Sequence, residues 1–546
     1  VMTRAVPVVA VAAAAFAAGA VWSTEPGRAE RRVVTRYVNA WQGDDYSEMY
    51  SLLDAASRAQ TSEPRFVSEL RNTAATATLT SLHVIHVAGA DGNTIAVRMG
   101  ADTRLWGTLR ETMIVPFTGS GSGARIHLSD PVLFPGLRAG EHLSRHLRLP
   151  ARATLLASDG TPLAEGSQRT SPIPDVAEQV VGTLGPIPRA LRRQYRARGY
   201  PPNTKVGLDG LELAFQNRLA GTAGGTLLAG RRVLASSQPV NATPVKTTIN
   251  PRMERAAVSA LGGQYAGIAV MDPRTGGVEA LAGIAFSAPQ PPGSTMKIIT
   301  ATGALQAGLV TLGSTFPVQT STTIDGFTMQ NANGEACGGT LLNAFAVSCN
   351  SVFAPLGVRL GAARLVATAE RFGFNQPPSI PGAAQSTIPS AQKIGNDLSV
   401  GSSAIGQGLV QTTPLEMTDV AATIAMGGRR PIPTLLADQP PRFVRVTSPK
   451  VAHEVAQMMI AVVQFGTGTA AQIPGVVVAG KTGTAELTDT AAPGASSAKN
   501  TDAWFVGYAP AGHPGVVAGA LFPNQGAGGA TAAPPVHDVI EAALQG

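Results

Sequence analysis

With 546 residues, the chain exceeds what one hydrophobic core holds and divides into three or four folding units. Hydrophobic residues at 44% against 14% charged exclude a largely disordered chain, and 61 Gly with 40 Pro call for many turns. A net charge of +7 suits anionic partners, yet basic residues are scattered apart from RALRRQYRAR (residues 189–198); with no recognition helix, zinc finger or stacking signature, nucleic acid is not expected as a partner.

At the N-terminus, Arg4 precedes AVPVVAVAAAAFAAGAVW (residues 5–22), a run just long enough to span a bilayer as a helix. It reads as an export signal, and the small residues 18–20 also suit cleavage, so anchor and cleaved signal both stay open. Either way the bulk of the chain is expected outside the cytoplasm. There, Cys337 and Cys349 can pair, closing a loop worth about 3 kcal/mol; two unpaired buried cysteines are the alternative.

Val34, Tyr37, Val38 and Trp41 repeat at helical spacing, as do Tyr46, Met49, Tyr50 and Leu53 after Gly43. Alternating strands follow in TATLTSLHVIHVAGADGNTIAVRMG, with Asp91-Gly92 as a hairpin turn, and in LRETMIVPFTG. These define a first α+β domain over residues 28–140. Residues 141–247 carry weaker signals, a short strand RATLLA, a basic helix and a helical GLDGLELAFQNRLAG, and read as a linking or pedestal domain.

A third domain, residues 248–546, opens with INPRMERAAVSALGG, in which Asn250 caps a helix with Pro251 at its first position and Gly262 beyond its end. GIAVMD and GVEALAG form a strand pair that leads to PPGSTMKIIT (residues 291–300). DAWFVGYAP and GVVAGALFP are turn-bounded strands, and the last helix aligns Val536, Val539, Ile540, Ala543 and Leu544. The economical arrangement is an antiparallel sheet between helices.

SxxK occurs three times: Ser294 with Lys297, Ser390 with Lys393 and Ser496 with Lys499. Ser294 stands apart because it starts a helix, where the backbone dipole favours a developing oxyanion, whereas the other two lie in polar loops. A serine needs a base, and lysine serves only when neutral; moving it from about 10.4 to near 7 takes roughly 4 to 5 kcal/mol, which burial and a second cation, Lys481, can supply. Ser348 and Asn350 in SCN follow 54 and 56 positions after Ser294, and Lys481, Thr482, Gly483 and Thr484 form a KTGT strand further on. Each piece alone has a plainer reading, as helix cap, turn or edge strand. The three together, in order, point to acyl transfer. No cofactor or metal is expected.

At these residues the chain resembles the serine acyl-transferases of the penicillin-binding protein family, whose motifs are SxxK, SxN and KTG. SCNSVF, IGQGLVQTTPLEMTDVAATIAMGG, GTGTAAQIPGVVVAGKTGTAE and DAWFVGYAP are similar to class B transpeptidases across the third domain, and GLDGLELAFQNRLAG to the segment preceding it. The first domain resembles the nuclear-transport-factor-like cone of methicillin-resistance-type members. The resemblance therefore implies a multidomain α+β chain: signal or anchor (1–24), cone (28–140), dimerisation-type pedestal (141–247) and β-lactamase-like serine transpeptidase domain (248–546).

It also implies a reaction. Ser294 attacks the D-Ala-D-Ala end of a peptidoglycan stem peptide, expels D-alanine and passes the acyl group to a neighbouring amine; β-lactams acylate the same serine. Lys297 becomes the base, Ser348 and Asn350 relay and orienting groups, Lys481 and Thr482 to Thr484 the carboxylate and oxyanion site, and Cys349 the partner of Cys337, as in actinobacterial members. The implied partners are stem peptides, β-lactam antibiotics, and a polytopic membrane glycan polymerase with division or elongation proteins. Rival readings are a D,D-carboxypeptidase, a β-lactamase, and a non-catalytic sensor or scaffold.

Overall fold

The computed structural model describes residues 27–487 and 498–545. The apolar run at residues 5–22 and Ser496 lie outside the described residues. Among the described residues, no single helix is long and apolar enough to cross a membrane.

The chain forms two compact units. Of the described residues, one takes 27–152, 185–206 and 220–243. In it, Val34, Tyr37, Val38 and Trp41 of the helix Arg28–Gln42 are buried, as the 3.6-residue period requires. They meet Ile95, Val97 and Met99 of strand Thr94–Thr103 and Met113, Val115 and Phe117 of strand Gly107–Thr118. These alternate apolar positions form the inner face of an antiparallel sheet that also includes Leu79–Asp91 and Arg125–Ile126. Asp91 pairs with Thr94, so the hairpin turn is centred on Gly92-Asn93, one residue later than the Asp-Gly reading, with Gly92 at φ +57°. Helices Ala55–Gln60 and Glu63–Ala77 were not legible in the sequence: Phe66 and Leu70 are sparse anchors, and Asp54 caps the first by accepting from the Ser57 amide.

Of the described residues, the second unit takes 153–184, 207–219, 244–487 and 498–545. The linking segment expected over 141–247 is thus shared between the two units. The physical reason is strand pairing: Leu143–Arg148 joins Gly224–Ala229 and Arg232–Ser237 in one sheet of the first unit, while Leu155–Leu156 joins Val245–Lys246 and Pro162–Ala164 in the second.

The second unit is built on a five-stranded antiparallel sheet ordered Gly277–Gly283, Gly267–Asp272, Val516–Phe522, Thr501–Ala509, Ala479–Glu486. Val516, Ala518, Ala520 and Phe522 face helices Pro251–Leu261 and Ala533–Leu544, through Met253, Ala257, Val536, Val539 and Ile540. The opposite face carries helix Pro414–Ala425, which comes so close that a Cβ at Gly519 would lie 2.5 Å from Thr418 Oγ1. With both faces covered, every residue of Thr501–Ala509 is buried, and the sheet does lie between helices. Asn250 caps Pro251–Leu261 by accepting from the Arg252 amide at 3.0 Å, and Gly262 closes that helix at φ +59°.

Cys337 and Cys349 are disulfide-bonded, with their Cα atoms 5.8 Å apart. The bond ties strand Cys337–Thr340 to the residue that precedes helix Asn350–Leu360. Closing a loop of this length constrains the unfolded chain by about 3 kcal/mol. Cys337→Ala is expected to lower the unfolding free energy of this unit by about 2–4 kcal/mol in denaturant titration, and an unchanged midpoint would contradict that assignment.

Candidate active site

Ser294 lies in a 3₁₀ turn, Gly293–Met296, and the α-helix proper, Lys297–Gln306, begins three residues later than the sequence reading placed it. The turn is set by Gly293 at φ +52°, whose amide donates to the Gly406 carbonyl at 2.9 Å. Gly293 is needed for space as well as for φ: a Cβ there would stand 2.8 Å from the Thr484 carbonyl group. A Cβ at Gly483 would meet the Pro292 carbonyl at 2.7 Å. Two glycines, one before the serine and one on the edge strand Ala479–Glu486, thus let the backbones of Ser294 and Thr484 come together.

Lys297 is fully buried. Its Nζ donates to the Ser348 carbonyl at 2.7 Å and to Asn350 Oδ1 at 2.7 Å, stands 3.3 Å from Ser348 Oγ, and lies 5.8 Å from the centre of the Phe353 ring. Lys481, also fully buried, donates to Ser348 Oγ at 3.0 Å and to the Thr482 carbonyl at 3.0 Å, with the Phe345 ring 5.5 Å away. One hydroxyl therefore sits between two buried amines. Ser348 reaches it by adopting φ +61°, an uncommon conformation for a side chain other than glycine. That turn follows helix Leu341–Ala346, with the Ser348 and Cys349 amides bonded to the Phe345 and Ala344 carbonyls, and helix Asn350–Leu360 begins at once.

The structure thus joins Lys297, Ser348, Asn350, Lys481 and Thr482 by direct hydrogen bonds and brings Gly483 and Thr484 against the serine turn. Ser294 Oγ makes no hydrogen bond to Lys297 Nζ among the described residues. The Thr484 hydroxyl accepts from the Gly528 amide at 3.3 Å. Ser390 and Lys393 are both exposed, and Lys499 is exposed as well, so neither pair reproduces the buried lysine at Lys297.

Residues 266–541 match the model of the penicillin binding protein transpeptidase domain, and residues 150–240 match the penicillin-binding protein dimerisation domain. The chain belongs to the penicillin-binding protein transpeptidase family. The two matches together are the class B organisation. Peptidoglycan D,D-transpeptidase PbpA of Mycobacterium tuberculosis is 32% identical over 369 residues, 55% of this chain and 72% of that protein. PbpA of Mycolicibacterium smegmatis is 37% identical over 48% of this chain and 56% of the relative. The crystal structure of M. tuberculosis PBPA in its ceftriaxone acyl-enzyme form superposes with a TM-score of 0.56 at 28% identity, covering 72% of this chain and 98% of that one. The D,D-transpeptidase domain from Eggerthella lenta gives 0.59 at 29% identity, covering 72% and 98%.

In this penicillin-binding protein, burial disfavours the charged form of both lysines. Lys297 is held well below the usual lysine range, first by burial and second by the charge of Lys481. Lys481 is pushed down to about 7 by burial. Two further residues serve the site without having been singled out in the sequence. Thr467 places its hydroxyl 2.5 Å from Thr482 Oγ1, and its amide donates to the Ala346 carbonyl at 3.1 Å. Asn331 accepts from the Ser351 amide at 2.8 Å, beside the SCN turn. Thr467 lies in the GTGTA stretch that contributed to the resemblance; Asn331 carries no motif at all.

A buried amine whose folded pKa lies below its unfolded value costs stability. The cost is full below about pH 7, where the unfolded state holds a proton that the folded state binds only weakly, and it fades as pH rises toward the unfolded value near 10.4. Lys481→Met is therefore expected to raise unfolding free energy by roughly 2–4 kcal/mol at pH 6, a gain that closes toward pH 10. A gap that is absent, or flat across that range, would contradict the burial account.

Proposed function

We propose that this chain is a peptidoglycan D,D-transpeptidase that works through an acyl-enzyme on Ser294 and is acylated there by β-lactams. The observation that carries the reading is the Ser348 hydroxyl shared by two buried lysines. Lys481, in its charged form, donates to Ser348 Oγ at 3.0 Å, while Lys297 turns its two N–H groups to the Ser348 carbonyl and Asn350 Oδ1 and keeps its lone pair for the Ser294 hydroxyl. That order of donors assigns the neutral amine to Lys297, next to the serine turn, and the cation to Lys481, next to Thr482 and the edge strand.

From this arrangement the steps follow. Lys297 Nζ takes the Ser294 hydroxyl proton as Oγ bonds to the penultimate D-alanine carbonyl carbon. The oxyanion is stabilised by the amides of Ser294 and Thr484, each such donor being worth about 3–4 kcal/mol in the transition state. The C–N bond to the terminal D-alanine breaks, and its nitrogen receives the proton by way of Ser348. An acceptor amine then attacks the ester, returns a proton to Lys297, and Ser294 leaves with its hydrogen restored. Lys481, Thr482 and Thr484 bind the terminal carboxylate, and Asn350 orients both Lys297 and the peptide.

The first unit, helices over a bulged antiparallel sheet, fits the cone expected at residues 28–140, with the dimerisation-type pedestal after it and the transpeptidase domain from residue 248. The apolar run at residues 5–22 and the Cys337–Cys349 bond support an extracytoplasmic catalytic unit held at or exported across the membrane. A polytopic glycan polymerase is the partner that class membership suggests.

Fluorescent penicillin is expected to label the wild type and Ser390→Ala equally and Ser294→Ala not at all; equal labelling of Ser294→Ala would remove the nucleophile assignment. With a stem pentapeptide and an amine acceptor, cross-linked product is expected, whereas free tetrapeptide and D-alanine alone would favour a carboxypeptidase. The second-order acylation constant should rise from acid pH as Lys297 sheds its proton and fall above about 7 as free-enzyme Lys481 loses its charge. A profile still climbing at pH 9 would contradict the two lysine roles.

A further inference from the structure

A neutral lysine amine has two N–H donors and one lone pair. Around Lys297 two strong acceptors at 2.7 Å, the Ser348 carbonyl and Asn350 Oδ1, use both donors and leave the lone pair for a hydroxyl. This works only while the Asn350 amide keeps its oxygen toward Lys297. Turned over, it would offer Nδ2 to the lone pair and consume the base.

The orientation is fixed from the far side. Asn350 Nδ2 donates to the Gln330 carbonyl at 3.0 Å, and a reversed amide would set oxygen against oxygen there. That carbonyl belongs to the hairpin Ser321–Ile324 and Phe327–Gln330, whose end is clamped by the next residue. Asn331 is buried at 5% exposure. Its Nδ2 donates to the Gln319 carbonyl at 2.8 Å and the Glu335 carbonyl at 3.0 Å, and its Oδ1 accepts from the Ser351 amide at 2.8 Å. Its own amide donates to the Thr320 carbonyl at 2.9 Å. One side chain therefore joins the two ends of the hairpin segment to the first turn of the helix that Asn350 opens.

We propose that Asn331 is a positioning residue for acyl transfer: by holding the Gln330 carbonyl and the Ser351 amide in register, it fixes the sense of the Asn350 amide and so keeps the Lys297 lone pair available. The proposal rests on the reading of Ser294 and Lys297 as the reacting pair. Because the Gln330 contact is a backbone carbonyl, no substitution of Gln330 removes it, and Asn331 is the position at which it can be tested.

The experiment is stopped-flow acylation of the full chain by a chromogenic cephalosporin, separating the dissociation constant of the first complex from the acylation rate constant. Asn331→Asp keeps the shape and the acceptor for Ser351 but replaces two donors with an oxygen facing two carbonyls. The expected result is an acylation rate constant at least about tenfold lower, with the dissociation constant within about threefold of wild type, because small displacements of reacting groups act on the chemical step. Thr328→Ala, on the exposed face of the same hairpin, should match wild type. A folded Asn331→Asp with a wild-type rate constant overturns the proposal, as does a change confined to the dissociation constant. If that variant fails to fold, Asn331→Ser is measured instead. If both fail, hydrogen exchange on wild type decides: the Ser351 and Asn331 amides should open together, and independent opening overturns the clamp. Loss of acylation in Ser294→Ala with a wild-type rate in Asn331→Asp removes only the positioning role, whereas acylation retained in Ser294→Ala removes the reading beneath it.

Discussion

Two buried amines on one hydroxyl is the constraint on which the rest of this site depends. Lys297 and Lys481 are both excluded from water, and each lies over an aromatic ring. Two ammonium groups so placed would repel one another with little solvent to screen them, so at least one proton must leave near neutral pH. Among the described residues, no carboxylate pairs with either lysine. The fold offers them carbonyls, an amide and a serine hydroxyl, acceptors that tolerate an amine without insisting on an ammonium. In the proposed function this pair supplies the base without a histidine.

That requirement reaches into the fold. The edge strand Ala479–Glu486 brings Lys481, and the 3₁₀ turn Gly293–Met296 brings the serine. They meet because Gly293 and Gly483 carry no Cβ at the crossing. The third component, the SCN turn, is strained at Ser348 and is fastened by the Cys337–Cys349 bond and by Asn331. Strained backbone of this kind costs on the order of 1–3 kcal/mol and persists only where the surroundings enforce it. The buried lysines and the strained turn are the places where the folded state gives up stability.

That these residues come together was legible in the sequence because acyl transfer restricts residue type: a hydroxyl, an amine three residues on, a second hydroxyl with an amide, a second amine beside small residues. Local caps were legible too, as Asn250, Pro251 and Gly262 show. What could not be read was set by distant partners. The 3₁₀ start at Ser294 follows from its packing against Thr484 and Gly406, nearly 200 and more than 100 residues away. The division of residues 141–247 between two units follows from strand pairs such as Arg145 with Leu227. Helix Glu63–Ala77 has too few apolar anchors to stand out, and an isolated asparagine such as Asn331 looks like any turn residue until its three partners surround it.

The central claim, that Lys297 is uncharged in the resting protein at neutral pH, is open to direct measurement. The chain has seven lysines, of which Lys205, Lys246, Lys393, Lys450 and Lys499 are exposed and Lys297 and Lys481 buried, so NMR of protein labelled with 13Cε-lysine gives a resolvable set. Assigned by Lys297→Arg, the Lys297 signal should already carry the neutral-amine shift at pH 7, and Lys481 should titrate near pH 7. A Lys297 signal that keeps the ammonium shift up to pH 10 would contradict the account.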